Sequence, residues 1–147
     1  MSSAERRGPP PPSDPENGIW QGRSIARRFV SPDGMTVLVG KNAADNDVLS
    51  LALAEPHDFW LHVAADSGSH VVVRNPQRLE RPPRETLRFA ASLAAGYSKL
   101  SAGGRTSVHW TTCRNVSKRR GSPAGQVLLA DHESIDAKPS KGPVSED

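Results

Sequence analysis

Three side chains that could bind a ligand or take part in catalysis, Trp60, His62 and His70, fall close together in this 147-residue chain. Alternating polar and apolar positions predict that Trp60 and His62 share one face of a β-strand, while the apolar residues between them face a core. A second predicted strand carries His70 and Arg74 on one face. If the two strands form a hairpin through a turn at 64–69, both imidazoles and the Arg74 guanidinium come together beside the indole.

The same stretch would also suit a metal site. The candidate ligands are imidazoles and carboxylates, which zinc and manganese accept: His57, Asp58, His62, Asp66 and His70. However, no HExxH or CxxC spacing is present, and the lone Cys113 has no obvious base beside it. We therefore predict that the protein is not an enzyme and uses no metal or other cofactor. A metal-dependent hydrolase built on His62 and His70 is the alternative.

Charge is distributed unevenly along the chain, although the net charge is only +3. Residues 31–66 contain six acids and one base, Lys41, whereas residues 86–130 contain seven bases and no acid. A compact domain with one wholly basic segment has a surface on which a polyanion can bind with release of counterions. A soluble face with scattered charges is the simpler alternative.

Four of the bases lie in a Gly- and Pro-containing loop at 114–125: Arg114, Lys118, Arg119 and Arg120. A loop of this length and composition would let them follow a phosphate backbone. A solvated hairpin connection is the alternative. Lys41 and Asn42 follow Gly40 at a predicted helix start, where backbone N–H groups and the lysine could bind an anion. This short motif is not the GxxxxGK[ST] pattern, so its signal is weak.

The spacing of apolar residues and of turn residues predicts mixed secondary structure. Strands are predicted at 28–31, 35–39, 59–63, 70–74, 106–112, 126–130 and 134–137. Helices are predicted at 42–54, with Asn42 as the N-cap, and at 84–100. Because no repeating βαβ order is present, we predict an α+β fold with a largely antiparallel sheet packed against two helices in a single domain.

Both termini are predicted to be disordered. Residues 1–18 include four consecutive prolines and are expected to form a flexible arm, residues 19–139 the domain, and residues 140–147 a flexible tail. The single cysteine excludes an intrachain disulfide framework and favours a reducing compartment. The sequence contains no apolar run of 18 residues and no N-terminal signal, so we predict a cytoplasmic protein without membrane contact. A protein-interaction adaptor, with the arm docked on a partner, is a further alternative.

The order of these elements resembles the NFACT-R domain over about residues 19–139. The resemblance is carried by Arg28-Phe29, Asp33-Gly34, residues 39–42, Asn46-Asp47, residues 58–62 and 68–74, Ala90-Ala91, Tyr97-Ser98, Lys118 and Gly125. In larger relatives this module follows an NFACT-N domain, a helix-hairpin-helix region and a coiled coil, in factors that bind the large ribosomal subunit and tRNA after stalled translation. The resemblance implies an RNA-contacting module, with tRNA or ribosomal RNA and the large ribosomal subunit as partners.

This resemblance has limits. The chain has no room for the other three regions, so we do not expect it to extend a trapped peptide by itself. It also has Ala43, Ala44 and Asp45 between Asn42 and Asn46, where relatives are often more polar or basic. That departure weakens the predicted anion site at Lys41.

Residue chemistry and the resemblance together predict a set of RNA contacts. Phosphate contacts are assigned to the cations, namely Lys41, Arg74, Arg114, Lys118, Arg119 and Arg120. Asn42 and Asn46 are expected to orient the loop at the helix start. His62 and His70 are expected to contact sugar, base or phosphate, and Trp60 to stack on a base. The competing interpretation places Trp60 in the core and both histidines in buried hydrogen bonds. The predicted mechanism requires the cations and both imidazoles to share one exposed surface.

Overall fold

A six-stranded antiparallel sheet forms the centre of the computed structural model, which describes residues 8–143. The strands are β1 (Ile19–Trp20), β2 (Arg23–Ser24), β3 (Ala26–Val30), β4 (Thr36–Gly40), β5 (Phe59–Val63), β6 (Val71–Val73), β7 (Thr106–Thr112), β8 (Val116–Ser117), β9 (Leu128–Leu129) and β10 (Glu133–Ala137). The helices are α1 (Ala43–Val48), which continues into a π-helical turn (Leu49–Leu53), and α2 (Arg84–Gly96). Two short 3-10 turns lie at Pro15–Asn17 and Cys113–Asn115.

The sheet has the strand order β10-β7-β5-β6-β4-β3, and every neighbouring pair is antiparallel. The short pairs β1-β2 and β8-β9 lie outside it. This arrangement confirms the predicted α+β fold with a largely antiparallel sheet and two helices. The predicted hairpin is also confirmed, because β5 and β6 pair with Leu61 opposite Val71.

Helix α2 covers one face of the sheet. Its small residues, including Ala90, Ala91 and Ala94, pack on Phe59 and Leu61 of β5 and on neighbouring valines. Small side chains let a helix approach a sheet closely, and the burial of both surfaces stabilises the pair. The helix was predicted to reach residue 100 but ends at Gly96. There, a backbone bridge between Gly68 and Ser98 draws the chain towards the turn after β5.

The opposite face of the sheet packs on α1 and the π-helical turn. Asn42 caps α1 as predicted, because its Oδ1 accepts a 2.8 Å hydrogen bond from the Asp45 N–H. Leu49 and Leu53 then pack with Leu38 and Trp60 in a second buried cluster. The sheet is therefore apolar on both faces, and the two faces carry different elements.

Some described residues of the predicted arm and tail contact the domain. The predicted arm (1–18) and tail (140–147) lie partly outside the described residues. Within the described part, the Asp14 N–H donates to the carbonyl of Ile19, and Arg28 donates to the carbonyl of Glu16. The Ser140 N–H donates to the carbonyl of Ser92 on α2. The predicted boundaries at 18 and 140 therefore fall inside segments that contact the domain.

No helix among residues 8–143 combines the length and the apolar character that a membrane span requires.

Candidate nucleic-acid interface

A cleft of ≈ 710 Å³ opens at the end of the sheet where β4 and β5 finish and β6 begins. Four segments form its walls: residues 41–43 at the start of α1, the turn at 66–69, residues 96–101 after α2, and residues 123–126. The Gly40 backbone allows this arrangement, because a Cβ there would overlap Asn46 Oδ1. The walls are loops held by rigid elements, which is a usual setting for a binding site.

Positive charge dominates the cleft. Its lining includes four cations, Arg27, Lys41, Lys99 and Lys141, and among the described residues one acid, Asp66. The Lys41 ammonium group donates a 2.9 Å hydrogen bond to Ser24 Oγ, which holds it at the rim. A concave surface lined by charges of one sign concentrates its field and attracts a polyanion.

The acids of the first half of the chain do not cancel this field, because three of them are paired elsewhere. Asp45 pairs with Arg23 at 2.8 Å, Asp47 lies 3.1 Å from the Lys118 ammonium, and Asp58 lies 2.9 Å from Arg74 Nε. Asp45 and Asp58 are almost fully buried. The uneven charge in the sequence therefore becomes a set of local ion pairs and a cleft lined mainly by cations.

Tyr97 holds two of the cleft cations near each other. The guanidinium carbon of Arg27 lies 5.1 Å from the ring centroid, and the Lys141 ammonium lies 5.3 Å from it. The tyrosine hydroxyl also donates a 3.2 Å hydrogen bond to the Lys141 carbonyl. Cation–π attraction offsets part of the repulsion between the two charges, so the wall keeps both cations directed at the cleft.

Three cleft cations, Arg27, Lys99 and Lys141, were not predicted as site residues from the sequence. Arg27 was placed just before a strand, whereas it lies inside β3 on the same face as Phe29, towards α2. Lys141 was assigned to the tail. Lys99 was counted in the acid-free segment but not in the site. Gly96 explains how Lys141 reaches the cleft. Only a residue without a Cβ at position 96 lets the Ser140 carbonyl cross α2 there, next to Lys141.

Trp60 and His70 are core residues, so two sequence predictions are wrong. The exposed fractions of the two residues are 2% and 1%. The Trp60 indole donates its Nε1–H to Ser50 Oγ at 2.9 Å, and it is not available for stacking on a base. His70 contacts Ser50 and Gly125 in place of RNA. The competing interpretation, with these two side chains in the core, is the one that the structure supports.

The hydrogen bonds assign the protonation of His70. Its Nε2 lies 3.0 Å from the carbonyl oxygen of Gly125, which can only accept, so Nε2 carries the hydrogen. Nδ1 lies 2.7 Å from Ser50 Oγ and accepts from that hydroxyl. Burial, reinforced by the neighbouring His62, lowers the pKa of His70 to about 4. The imidazole is therefore neutral at pH 7 and ties the core to the loop that ends at Gly125.

His62 is the one predicted imidazole that reaches the cleft. It is half-buried and stacks on the Trp60 ring at a centroid distance of 5.9 Å. Burial lowers the pKa of His62 as well. Because His70 lies behind it, the predicted exposed surface shared by both imidazoles and the basic segment does not form.

Arg74 lies away from the cleft, at the other end of β6. Its guanidinium forms the ion pair with Asp58, and its Nη1 is 3.6 Å from Glu16, too far for a hydrogen bond. The predicted phosphate contact through Arg74 is corrected to a structural ion pair. Asn46 is buried too, and its amide accepts from the His70 N–H and contacts the Gly68 carbonyl. The exposed Asn42, which caps α1, and the buried Asn46 thus hold the cleft walls through hydrogen bonds.

The basic loop separates into an inward lysine and outward arginines. Lys118 pairs with Asp47 and donates to the carbonyls of Pro123 and Gln126, so its predicted phosphate contact is replaced by a role in loop folding. Arg114, Arg119 and Arg120 are exposed and do not line the cleft. Their contacts with phosphate stay predictions.

The residues proposed for a metal site do not assemble. Within residues 8–143, no three side chains of His, Cys, Asp or Glu are grouped as a metal ion would need. Both ring nitrogens of His70 are already engaged with Ser50 and Gly125. The alternative of a hydrolase built on His62 and His70 therefore lacks free ligands at one of its two residues.

A comparison with protein-family models matches residues 26–131 to the NFACT protein RNA binding domain. The chain belongs to the NFACT RNA-binding domain family. This confirms the resemblance seen in the sequence, and the match spans β3 to the loop before β10. The cleft residue Lys141 lies beyond the matched segment.

Individual relatives agree with this family. This NFACT RNA-binding domain is 32% identical over 120 residues to the Rqc2 homolog RqcH of Bacillus subtilis, covering 82% of this chain and 20% of that protein. It is 33% identical over 111 residues to the ribosome quality control complex subunit NEMF homolog of Drosophila melanogaster, covering 75% of the chain and 11% of the relative. The chain thus spans a fifth or less of these relatives.

A solved structure has the same fold. It is the C-terminal part of the fibronectin/fibrinogen-binding protein from Streptococcus suis, at 29% identity, with a TM-score of 0.74. The similarity covers 81% of this chain and 47% of that one.

Proposed function

We propose that this NFACT RNA-binding domain binds a single RNA strand through the cleft at the end of its sheet, with transfer RNA or large-subunit ribosomal RNA as the ligand. The observation that carries the proposal is the group of four cations around a cleft whose described lining contains one acid. Lysine and arginine bind phosphate oxygens, and neutralising several phosphates releases counterions, which drives binding. The Ser67 hydroxyl adds an uncharged donor on the same walls, whereas the hydroxyls of Ser69 and Ser98 donate to the carbonyls of Gly40 and Ala95.

The proposal places the protein in ribosome-associated quality control in the cytoplasm, where translation takes place. Support comes from two of the relatives. One is named as the Rqc2 homolog RqcH, and the other as a ribosome quality control complex subunit NEMF homolog. We further propose that the chain contributes RNA contact alone, without chemistry. Exposed Arg119 and Arg120 would extend the contact along the backbone beyond the cleft.

The test is salt-dependent binding of a single-stranded RNA to the wild type and to a Lys41→Ala/Lys99→Ala double variant. These lysines stand on different walls, so their removal should lower the magnitude of the salt slope by about 0.7 for each phosphate that is no longer neutralised. The matched control is Arg78→Ala/Arg84→Ala, which removes the same charge at the opposite end of β6 and α2. Equal salt slopes for the two double variants would mean that the cleft is not part of the RNA interface.

The identity of the RNA needs a second experiment. Crosslinking in cells followed by sequencing of the bound nucleic acid would separate transfer RNA from ribosomal RNA, since phosphate contacts by themselves carry no sequence information. The Lys41→Ala/Lys99→Ala variant should lose the specific crosslinks while Arg78→Ala/Arg84→Ala keeps them. Recovery of DNA alone would contradict the proposal.

A further inference from the structure

A second cavity of ≈ 210 Å³ adjoins the cleft on the sheet face that carries Trp60. The two spaces share His62, Gly125 and Gln126 as lining residues, so they lie side by side. A cavity of about 150 Å³ holds a benzene ring in an engineered protein. This one is large enough for an aromatic heterocycle.

The cavity differs from the cleft in chemistry. The apolar side chains of Val127 and Leu129 and three imidazoles line it, and none of its described lining residues is a lysine, arginine, aspartate or glutamate. His62 of β5 lies directly opposite His109 of β7 in the strand register. The cleft therefore suits phosphates, and the cavity suits an uncharged ring.

The rings around the cavity are arranged for contact with aromatic ligands. His62 stacks on Trp60 with an angle of 21° between the planes, and His70 meets both rings edge-on. Burial lowers the pKa of His62, His70 and His109, so these imidazoles are uncharged at pH 7. Neutral imidazoles offer uncharged π faces, which match a base rather than a phosphate, while both ring nitrogens of His70 are already bonded to Ser50 and Gly125.

We propose that this cavity binds one nucleobase of the RNA strand whose phosphates lie in the cleft. This inference rests on the proposed function, because the strand must first occupy the cleft. The base would enter past Gln126, whose side-chain amide can both donate to and accept from a base edge. His62 and His109 would contact the ring of the base, as aromatic side chains do when they hold unstacked bases.

The test compares two probes: a single-stranded oligoadenylate of ten nucleotides and a ribose-phosphate chain of the same length without bases. Both carry the same phosphates, so a site that reads only the backbone would bind them equally. We expect the wild type to bind the oligoadenylate about tenfold more tightly than the abasic chain, since stacking on one base commonly contributes this much. Their salt slopes should agree.

Two variants alter the cavity without touching the cleft cations. His109→Ala removes one ring, and Ala64→Leu fills space from an exposed position on the cavity lining. Each should lower affinity for the oligoadenylate by about tenfold, to that of the abasic chain. Each should leave affinity for the abasic chain unchanged. The matched control is His57→Ala, since His57 does not line the cavity.

Proton NMR of the histidine rings gives a readout independent of affinity. Oligoadenylate should shift the ring signals of His62 and His109 through the ring current of the bound base, while His57 stays unchanged. The abasic chain should move them little. Equal binding of both probes, or unshifted histidine signals with bound oligoadenylate, would overturn the base site while leaving the proposed function intact. Failure of the wild type to bind either probe would overturn both.

Discussion

His70 and Gly125 are joined by a 3.0 Å hydrogen bond between the imidazole Nε2 and the carbonyl oxygen, which connects the buried core to a wall of the cleft. The imidazole must be neutral to keep its other bond, in which Nδ1 accepts from Ser50. The same side chain therefore sets both the position of residues 123–126 and a dependence of stability on pH.

The first prediction concerns that dependence. Burial lowers the pKa of His70 to about 4 in the folded protein, whereas an unfolded histidine titrates near 6.5. Between these values the unfolded state binds more protons than the folded state. The stabilisation that neutral His70 provides is therefore complete above pH 6.5 and is lost as the pH falls towards 4. This stabilisation amounts to about 3 kcal/mol. Urea unfolding of the wild type and His70→Gln should give a stability difference that shrinks between pH 7 and pH 4. A constant difference would contradict the assignment.

The second prediction separates Lys118 from Arg119. Lys118→Ala removes an ion pair with Asp47 and two bonds to loop carbonyls, so we expect the free energy of unfolding to fall by about 2 kcal/mol. Arg119→Ala removes an exposed charge and should change stability by less than about 0.5 kcal/mol. Chemical denaturation measures both. Equal effects would mean that Lys118 does not hold the loop.

The third prediction uses two glycines. Alanine normally stabilises a helix relative to glycine by about 0.5–1 kcal/mol, but a Cβ at Gly96 would overlap the Ser140 carbonyl. Gly96→Ala should therefore destabilise the protein by about 1–3 kcal/mol and weaken RNA binding, because the segment carrying Lys141 must move. Gly104→Ala is the control, since nothing lies within 4 Å of its Cβ position. Thermal unfolding and RNA titration of both variants test this expectation.

The fourth prediction compares two lysines of the C-terminal segment. Lys141 lines the cleft over Tyr97, whereas Lys138 is exposed and outside it. We expect Lys141→Ala to weaken RNA binding about fivefold, equivalent to about 1 kcal/mol, and to lower the salt slope by about 0.7. Lys138→Ala should leave the slope unchanged. Indistinguishable slopes for the two variants would exclude Lys141 from the interface.

The fifth prediction tests the correction to Arg74. Arg74→Ala leaves the Asp58 carboxylate, of which 1% is exposed, without its partner. Loss of one member of a buried ion pair typically lowers stability by about 3–5 kcal/mol. RNA affinity measured below the unfolding transition should stay at the wild-type value. A variant that is stable but binds RNA weakly would restore Arg74 to the interface.

Much of the fold could be predicted because its signals are local. The alternation at 59–63, the Asn42 cap and the apolar spacing of α2 each determine one element from neighbouring residues. The strand at 106–112 matches its predicted bounds. The site was harder to predict, because the sequence does not show whether a basic residue contacts a phosphate or a carboxylate. Arg74 and Lys118 were assigned to RNA for that reason, yet both have acidic partners far away in the chain.

The sequence by itself determined the antiparallel α+β fold and the excess of positive charge in the second half, since both follow from residue type and local spacing, and its resemblance to known sequences indicated the family. Only the tertiary structure decided which groups meet. It buried Trp60 and His70, paired Lys118 with Asp47, and brought Arg27 and Lys141 to one tyrosine ring. Burial and charge pairing are long-range properties, because they depend on residues that are distant in the chain and adjacent only after folding.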